Sequence, residues 1–278
     1  MKILLTNDDG IHAPGLWAAA RVLRQAGEVF VVAPDREQSG VGASLTLHAP
    51  VRARRVAVDP ELSGGEAAGH PVEVHAVEGT PGDSCILALE QLVGPVDLVV
   101  SGINAGSNLG WDVMVSGTVG AAVQGYVRGY PTIAISVGGV ENPQFDGAAR
   151  LLQLLVGRLF LLEAPVAGQG SPANNLFLNI NVPNQPLDRM AGVQITTLGS
   201  RSYGETVRTE GNGARQRYWI NRNRLIATDP AQGTDLWALR NNYVSVTPLQ
   251  ATLGHQEHVP AVEALLEGIA GQLLARGD

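Results

Sequence analysis

The sequence predicts an α/β protein: a mostly parallel sheet covered by helices, then a β-rich C-terminal extension and a terminal helix. Two observations carry this. Over the first two-thirds of the 278 residues, short continuous apolar runs alternate with longer helical patterns. Strands buried on both faces read that way, because helices cover each side of a parallel sheet. After about Gln185 the composition turns β-like, with turn signals at "LGSRSYGE" and "EGNGARQ".

Each element has its own signal. "KILLT" reads as a strand, "GLWAAARVLRQAG" as a helix and "EVFVVAP" as a second strand. Residues 44–77 form an excursion, in which "SLTLHAPVRARRVAV" and "PVEVHAV" look like strands around the polar loop "PELSGGEAAGH". The helix that follows has Thr80 as N-cap, Pro81 at its first position and Asp83 three residues after the cap. "VDLVVSG" and "PTIAISV" read as strands with the helix "TVGAAVQGYVRG" between them. "FDGAARLLQLLVGRLFLLEA" is a long helix, "GQGSPANN" a surface loop, and "NLFLNINVP" one more strand. The final "AVEALLEGIAGQLLAR" is amphipathic at helical spacing. The expected division is a catalytic core over 1–190 and a β-rich oligomerisation region with a terminal helix over 191–278.

Composition excludes several functions. A net charge of −7 argues against a general nucleic-acid binder, which needs a positive surface. Lys2 is the only lysine, so a Walker A loop is absent and Schiff-base catalysis is not expected. The one cysteine, Cys85, reads as a buried core residue in a reducing compartment. Only three apolar residues follow Lys2 before the polar "TNDD", and no apolar run is long enough to span a membrane. The expected location is cytoplasmic, with no membrane partner.

Ligands of an open parallel sheet sit outside the carboxyl ends of its strands. Three loops should open there: Asn7, Asp8 and Asp9 after the first strand, "PDREQSG" after the second, and "GINAGSNLG" after "VDLVVS". Adjacent carboxylates repel, and a cation relieves that repulsion. Two carboxylates with neutral Ser and Asn oxygens suit Mg²⁺ or Mn²⁺; a helix cap or a solvated turn is the plainer reading of "DDG". "SGTVGAA" then runs straight into a helix, where free N–H groups with the Ser116 and Thr118 hydroxyls make an anion site, a plain N-cap being the simpler reading. A divalent metal beside a phosphate suggests phosphoryl transfer to water. A non-catalytic nucleotide or metal-phosphate sensor would use the same cleft. "GVGASL" lacks the third glycine of a dinucleotide fingerprint and is discounted.

Six stretches, in order along the chain, resemble the SurE family of nucleotidases: "ILLTNDDGIHAPG", "APDREQSG", "EGTPGDS", "VSGINAGSNLG", "SGTVGAA" and "GTDLWALRNNYVSVTPL". The resemblance implies a Rossmann-like core whose β-rich C-terminal part is exchanged between subunits, as a homodimer or homotetramer. It implies a metal-dependent phosphomonoesterase, a 5′-nucleotidase acting on nucleoside 5′- and 3′-monophosphates and sometimes on short polyphosphate. Carried over residue by residue, the metal ligands fall on Asp8, Asp9, Ser39 and Asn104. The phosphate contacts fall on Ser116, Gly117 and Thr118, with Asn104 and Asn108 beside them. Asp8 or Asp9 would also orient or deprotonate the attacking water. Departures are Gly82-Asp83-Ser84 for the family's Ala-Asp-Cys, Val115 for a tyrosine, and Asn242 for a glycine.

His12, close to the acids, reads either as a proton donor to the leaving alkoxide or as a loop residue with local hydrogen bonds, and the second is preferred. Arg201, Arg208, Arg215, Arg217, Arg222 and Arg224 read as a solvated hairpin face, an intersubunit contact or a steering field for phosphate.

Overall fold

The structure is a computed structural model that describes residues 1–57, 69–162, 176–200, 203–211, 215–225, 229–252, 259–267 and 269. The core strands are β1 (Lys2–Thr6), β2 (Glu28–Pro34), β3 (Ala53–Arg55), β4 (Val72–Val77), β5 (Leu98–Ala105), β6 (Thr132–Val137) and β7 (Phe177–Val182). Later come β8 (Gly192–Ile195), β9 (Tyr203–Glu210), β10 (Arg217–Leu225) and β11 (Tyr243–Pro248). The helices are α1 (Pro14–Leu23), α2 (Pro81–Leu87), α3 (Gly117–Tyr126), α4 (Asp146–Leu162), α5 (Asp235–Arg240) and α6 (Val259–Leu266).

Nine strands form one sheet in the order β3-β4-β2-β1-β5-β6-β7-β11-β8. From β4 to β7 every neighbouring pair is parallel; β3 and β11 enter antiparallel, and β8 runs parallel to β11. The chain winds outward from β1 in one direction through β2 and β4, then in the other through β5, β6 and β7. This is the Rossmann-like order, with its switch point between β1 and β5.

Period-two alternation sends side chains to both faces. Ile3, Leu5, Val31 and Val100 pack with Leu16 and Leu23 of α1 and Leu152 and Val156 of α4. On the other face, Leu4, Val32 and Val99 meet Cys85, while Ala134 and Phe177 meet Val119 and Ala122 of α3. Each fully buried Leu, Ile or Val contributes about 1.5–3 kcal/mol relative to exposure.

The predicted cap of α2 is present in full. The Thr80 side chain accepts from the Asp83 N–H, and the Asp83 carboxylate accepts from the Thr80 N–H. The same carboxylate accepts from Thr46 N–H and Thr46 Oγ1, and Thr80 Oγ1 donates to the Ser44 carbonyl. Residues 44–46 thus satisfy polar groups on a helix cap rather than on a strand ladder. Among the described residues of the predicted "SLTLHAPVRARRVAV" strand, only Ala53–Arg55 forms a strand, paired with β4, and Val58 lies outside them.

Two further differences matter. β5 does not stop at Gly102; it runs on to Ala105 through a register shift between Ser101 and Asn104. The β-like stretch after Val193 contains a short helix, α5, because Thr234 caps it by accepting from the Trp237 N–H. Asn242, the residue standing in the place of a glycine, adopts φ +62°. Asparagine tolerates that region better than other non-glycine residues.

Among the described residues β9 and β10 pair only with each other, with Val207, Tyr218 and Ile220 exposed. The predicted apolar face of α6 is exposed at Val262, Leu265 and Leu266, and Ile269 just beyond is exposed too; Leu273 lies outside the described residues.

Candidate active site

The three loops predicted to open on one sheet edge meet at the switch point. Residues 7–11 leave β1 and are fixed internally: Asn7 Nδ2 donates to the Gly10 carbonyl (3.0 Å) and the Gly10 N–H to Asn7 Oδ1 (3.2 Å). The loop after β2 is stitched to them by Gln38 N–H to the Asp8 carbonyl (2.7 Å) and Ile11 N–H to the Pro34 carbonyl (2.8 Å). The end of β5 joins through the Ala105 N–H, which donates to Asp9 Oδ2 (3.1 Å).

Asp8 is buried, and its Oδ1 accepts from Thr118 Oγ1 in the first turn of α3. Gly117 lies so close that an added Cβ would sit 2.7 Å from Asp8 Cβ and 2.8 Å from its Oδ2. Only glycine allows that approach. Ser116 caps the helix by accepting from the Val119 N–H (3.1 Å). The Gly117 and Thr118 amides stand ahead of the helical ladder with no intrahelical acceptor. The start of α3, where the sequence predicts an anion site, thus packs directly against the carboxylate of Asp8.

The electrostatics are one-sided. Among the described residues, no Lys, Arg or His pairs with Asp8 or Asp9. Burial pushes the Asp8 carboxyl up, against the opposing hydrogen bond from Thr118. Burial likewise pushes Asp9 up to about 6, with the Asp8 and Glu37 charges adding to the rise. Two acids held this way have unrelieved negative charge, the condition a cation corrects.

The remaining site residues are placed as follows. Asn104 is buried, and its Nδ2 donates to the Gly106 carbonyl (2.5 Å). That uses one of the two N–H donors of the amide on the loop and leaves its oxygen as the acceptor end. Ser39 is exposed one residue past the Gln38 stitch, and its hydroxyl donates to Glu37 Oε1 (2.8 Å). Among the described residues Ser39 forms no hydrogen bond with either acid. Among the described residues no group of three or more His, Cys, Asp or Glu gathers; the donors at this edge are oxygens, the two carboxylates and the Asn104 amide oxygen. That donor chemistry fits a hard dication. His12 is exposed on the same loop. Arg208, Arg215 and Arg217 are exposed on the β9–β10 arm, and Arg201 lies outside the described residues.

Asn108 is held by partners that sequence reasoning missed. Its carbonyl accepts from Asn179 Nδ2 (2.8 Å) and Asn181 Nδ2 (3.0 Å), its N–H donates to Asn181 Oδ1 (2.8 Å), and its Nδ2 donates to Ser136 Oγ (2.8 Å). The signal was present: "FLNINV" puts two asparagines at period two on one face of an apolar strand. Asp235 was missed as well. It is fully buried and accepts from Gly110 N–H, Gly199 N–H and Leu236 N–H. Its only sequence signal was an acid directly after the Thr234 cap.

Comparisons with known proteins show the family and the fold. The family model described as "Survival protein SurE" matches residues 3–205. A protein of Dehalococcoides mccartyi (strain CBDB1) named "5′-nucleotidase SurE" is 43% identical over 273 residues, 97% of this chain and 96% of that protein. The protein of the same name from Legionella pneumophila (strain Philadelphia 1) is 40% identical, over 97% of this chain and 98% of the relative. The crystal structure of the SurE protein from Aquifex aeolicus superposes with a TM-score of 0.74 at 35% identity, covering 95% of this chain and 99% of that one. With sequence relatives matching nearly end to end and a solved structure sharing the fold, the chain belongs to the SurE family.

Proposed function

We propose that the chain is a metal-dependent phosphomonoesterase, a 5′-nucleotidase that hydrolyses nucleoside 5′- and 3′-monophosphates to nucleoside and phosphate, with short polyphosphate as a further substrate to test. The observation that carries this is the contact of the buried Asp8 with Thr118 and Gly117 at the start of α3. A cation site and a phosphate site share that one contact. The relatives' name, 5′-nucleotidase, points the same way.

Asp8, Asp9, Ser39 and Asn104 would hold Mg²⁺ or Mn²⁺. Bound there, such an ion supplies neutralisation of phosphate charge and activation of water. The rest falls to the chain. The Gly117 N–H receives a phosphoryl oxygen at the helix start, where the dipole favours negative charge, beside Thr118, whose N–H and hydroxyl are turned to Asp8. Asn108 Nδ2 keeps a second N–H beyond its bond to Ser136 for the same use. Asp9, held by the Ala105 amide, orients or deprotonates the attacking water together with Asp8.

We also propose that residues 1–190 carry the site and 191–278 assemble a homodimer or homotetramer, with the β9–β10 arm crossing to the partner. A two-stranded ribbon with exposed apolar residues is marginal in water alone. A cytoplasmic setting suits the buried Cys85, whose thiol burial pushes up to about 12. Phosphate release from AMP and 3′-AMP, with Mg²⁺, with Mn²⁺ and with EDTA, tests the function. Metal-dependent release is expected; tight AMP binding without release would show a sensor instead.

A further inference from the structure

The β9–β10 arm leaves and re-enters the core at one point. On the way out, Thr197 N–H donates to the Gly233 carbonyl (3.0 Å), and the Thr197 carbonyl accepts from Asp235 N–H (2.9 Å). Thr197 and Thr234 form an isolated parallel bridge. The outgoing root, Thr197–Ser200, is thus sewn to the returning root, Gly233–Asp235.

That stitch rests on the active-site loop. Asp235 Oδ1 accepts from Gly199 N–H (2.8 Å) and Leu236 N–H (2.8 Å), while Oδ2 reaches across 125 positions to accept from Gly110 N–H (2.7 Å). Gly110 has φ +52°, and an added Cβ would lie 2.2 Å from the Ser200 carbonyl oxygen. The glycine is therefore required both for its backbone conformation and for contact with the arm's root. Two residues earlier is Asn108; six residues later is Ser116, the cap of α3. A carboxylate with no exposed surface that spends its oxygens on three backbone amides from three segments does more than cap a short helix. One amide on the local helix would serve for that.

We infer that Asp235 is a positioning residue that couples the glycine loop of the active site to the root of the β9–β10 arm. A shift of the arm moves Gly199 and Ser200, and through Asp235 and Gly110 it moves the loop that carries Asn108 and leads to the Ser116 cap. The active site is then set partly by how the arm is held. The kinetic half of this inference rests on the phosphomonoesterase reading; the structural half does not.

Asp235→Asn separates the links. Two amides converge on Oδ1 and one on Oδ2, so the asparagine oxygen stays with Gly199 and Leu236 and its NH₂ faces the Gly110 N–H. Two donors then oppose each other, and the Gly110 link alone is lost. Hydrogen exchange on the full-length protein should show amides around Gly110 and Trp111 exchanging about tenfold faster, with β1 and β5 unchanged. With AMP and the activating metal, kcat should fall about tenfold or more while KM moves less than about threefold, since small misplacements act on the reacting geometry. Gly110→Ala, which pushes the loop off Ser200 without touching Asp235, should give the same pattern, and the double variant should be no worse than the weaker single. Faster exchange around Gly110 with unchanged kcat overturns the coupling, as does a kcat loss that comes with faster exchange throughout the central strands. If Asp235→Asn fails to fold, Gly110→Ala decides by the same readouts. Wild-type protein that releases no phosphate from AMP refutes the phosphomonoesterase reading, while the exchange data still decide the clamp.

Discussion

Asp8 and Asp9 are neighbours with different surroundings. Asp8 is closed in by Thr118 and Gly117, whereas Asp9 meets the Ala105 amide and is partly open. Replacing either by Asn removes charge with little change in volume, and each should cost about a hundredfold or more in turnover. Ser39→Ala should cost less than either, since an exposed neutral hydroxyl contributes less to a dication than a carboxylate. Asn104→Ala should fall between. Steady-state rates at saturating Mn²⁺ check the ranking, and a Ser39→Ala loss exceeding that of Asp9→Asn would contradict it. The acids also set a pH signature. Asp9 is raised from an unfolded value near 3.9 to about 6, so without metal the folded chain binds protons more readily than the unfolded one. Its contribution to stability is present below about pH 4 and is lost as pH rises through about 6. In EDTA, the Tm of the wild type minus that of Asp9→Asn should therefore fall between pH 4 and 7. With Mg²⁺ or Mn²⁺ present the trend should reverse, because the cation needs the charged carboxylates.

At the scale of elements, the start of α3 is the sensitive joint. Gly117→Ala would drive a methyl group into the Asp8 carboxylate. We expect activity to fall at least tenfold with the fold retained, as read by phosphate release and circular dichroism. The α2 cap is a purely structural counterpart: Thr80→Ala should cost about 1 kcal/mol in denaturant unfolding and leave KM alone. The sequence made α2, α3 and the apolar strands legible because their signals are local: Thr80-Pro81, Ser116, and runs such as "TIAISV". It also brought Asp8, Asp9 and the glycine loop to one edge, since strand ends in a parallel sheet share an edge. What it hid was non-local. The extension of β5 to Ala105 depends on pairing with β6, and the loss of strand at 44–46 depends on Asp83, 37 positions away. Asn179, Asn181 and Asp235 bond across 71, 73 and 125 positions, so even where the period-two asparagines of "FLNINV" stood out, their partner did not.

For the whole molecule, the β9–β10 ribbon and α6 leave apolar side chains uncovered in the single chain. Light scattering at micromolar concentration should show a dimer or tetramer and no stable monomer. A variant with residues 203–225 replaced by a short turn should be monomeric or aggregated, with a lower Tm. A full-length chain that sediments as an active monomer would contradict the exchange.

The placement of β1 in the middle of the sheet has a consequence in time. Asp9 meets Ala105 across 96 positions and Asp8 meets Thr118 across 110. The first strand of the chain thus waits for distant partners before its acids have a site to belong to. Loop closure over such separations is slow compared with helix formation. On dilution from denaturant, helical signal should return well ahead of phosphatase activity. The lag should lengthen when β1–β5 pairing is weakened, for example by Val100→Ala, a buried position facing Leu5. Hydrolysis of a nucleotide would then serve as a stopwatch for the last long-range step of folding.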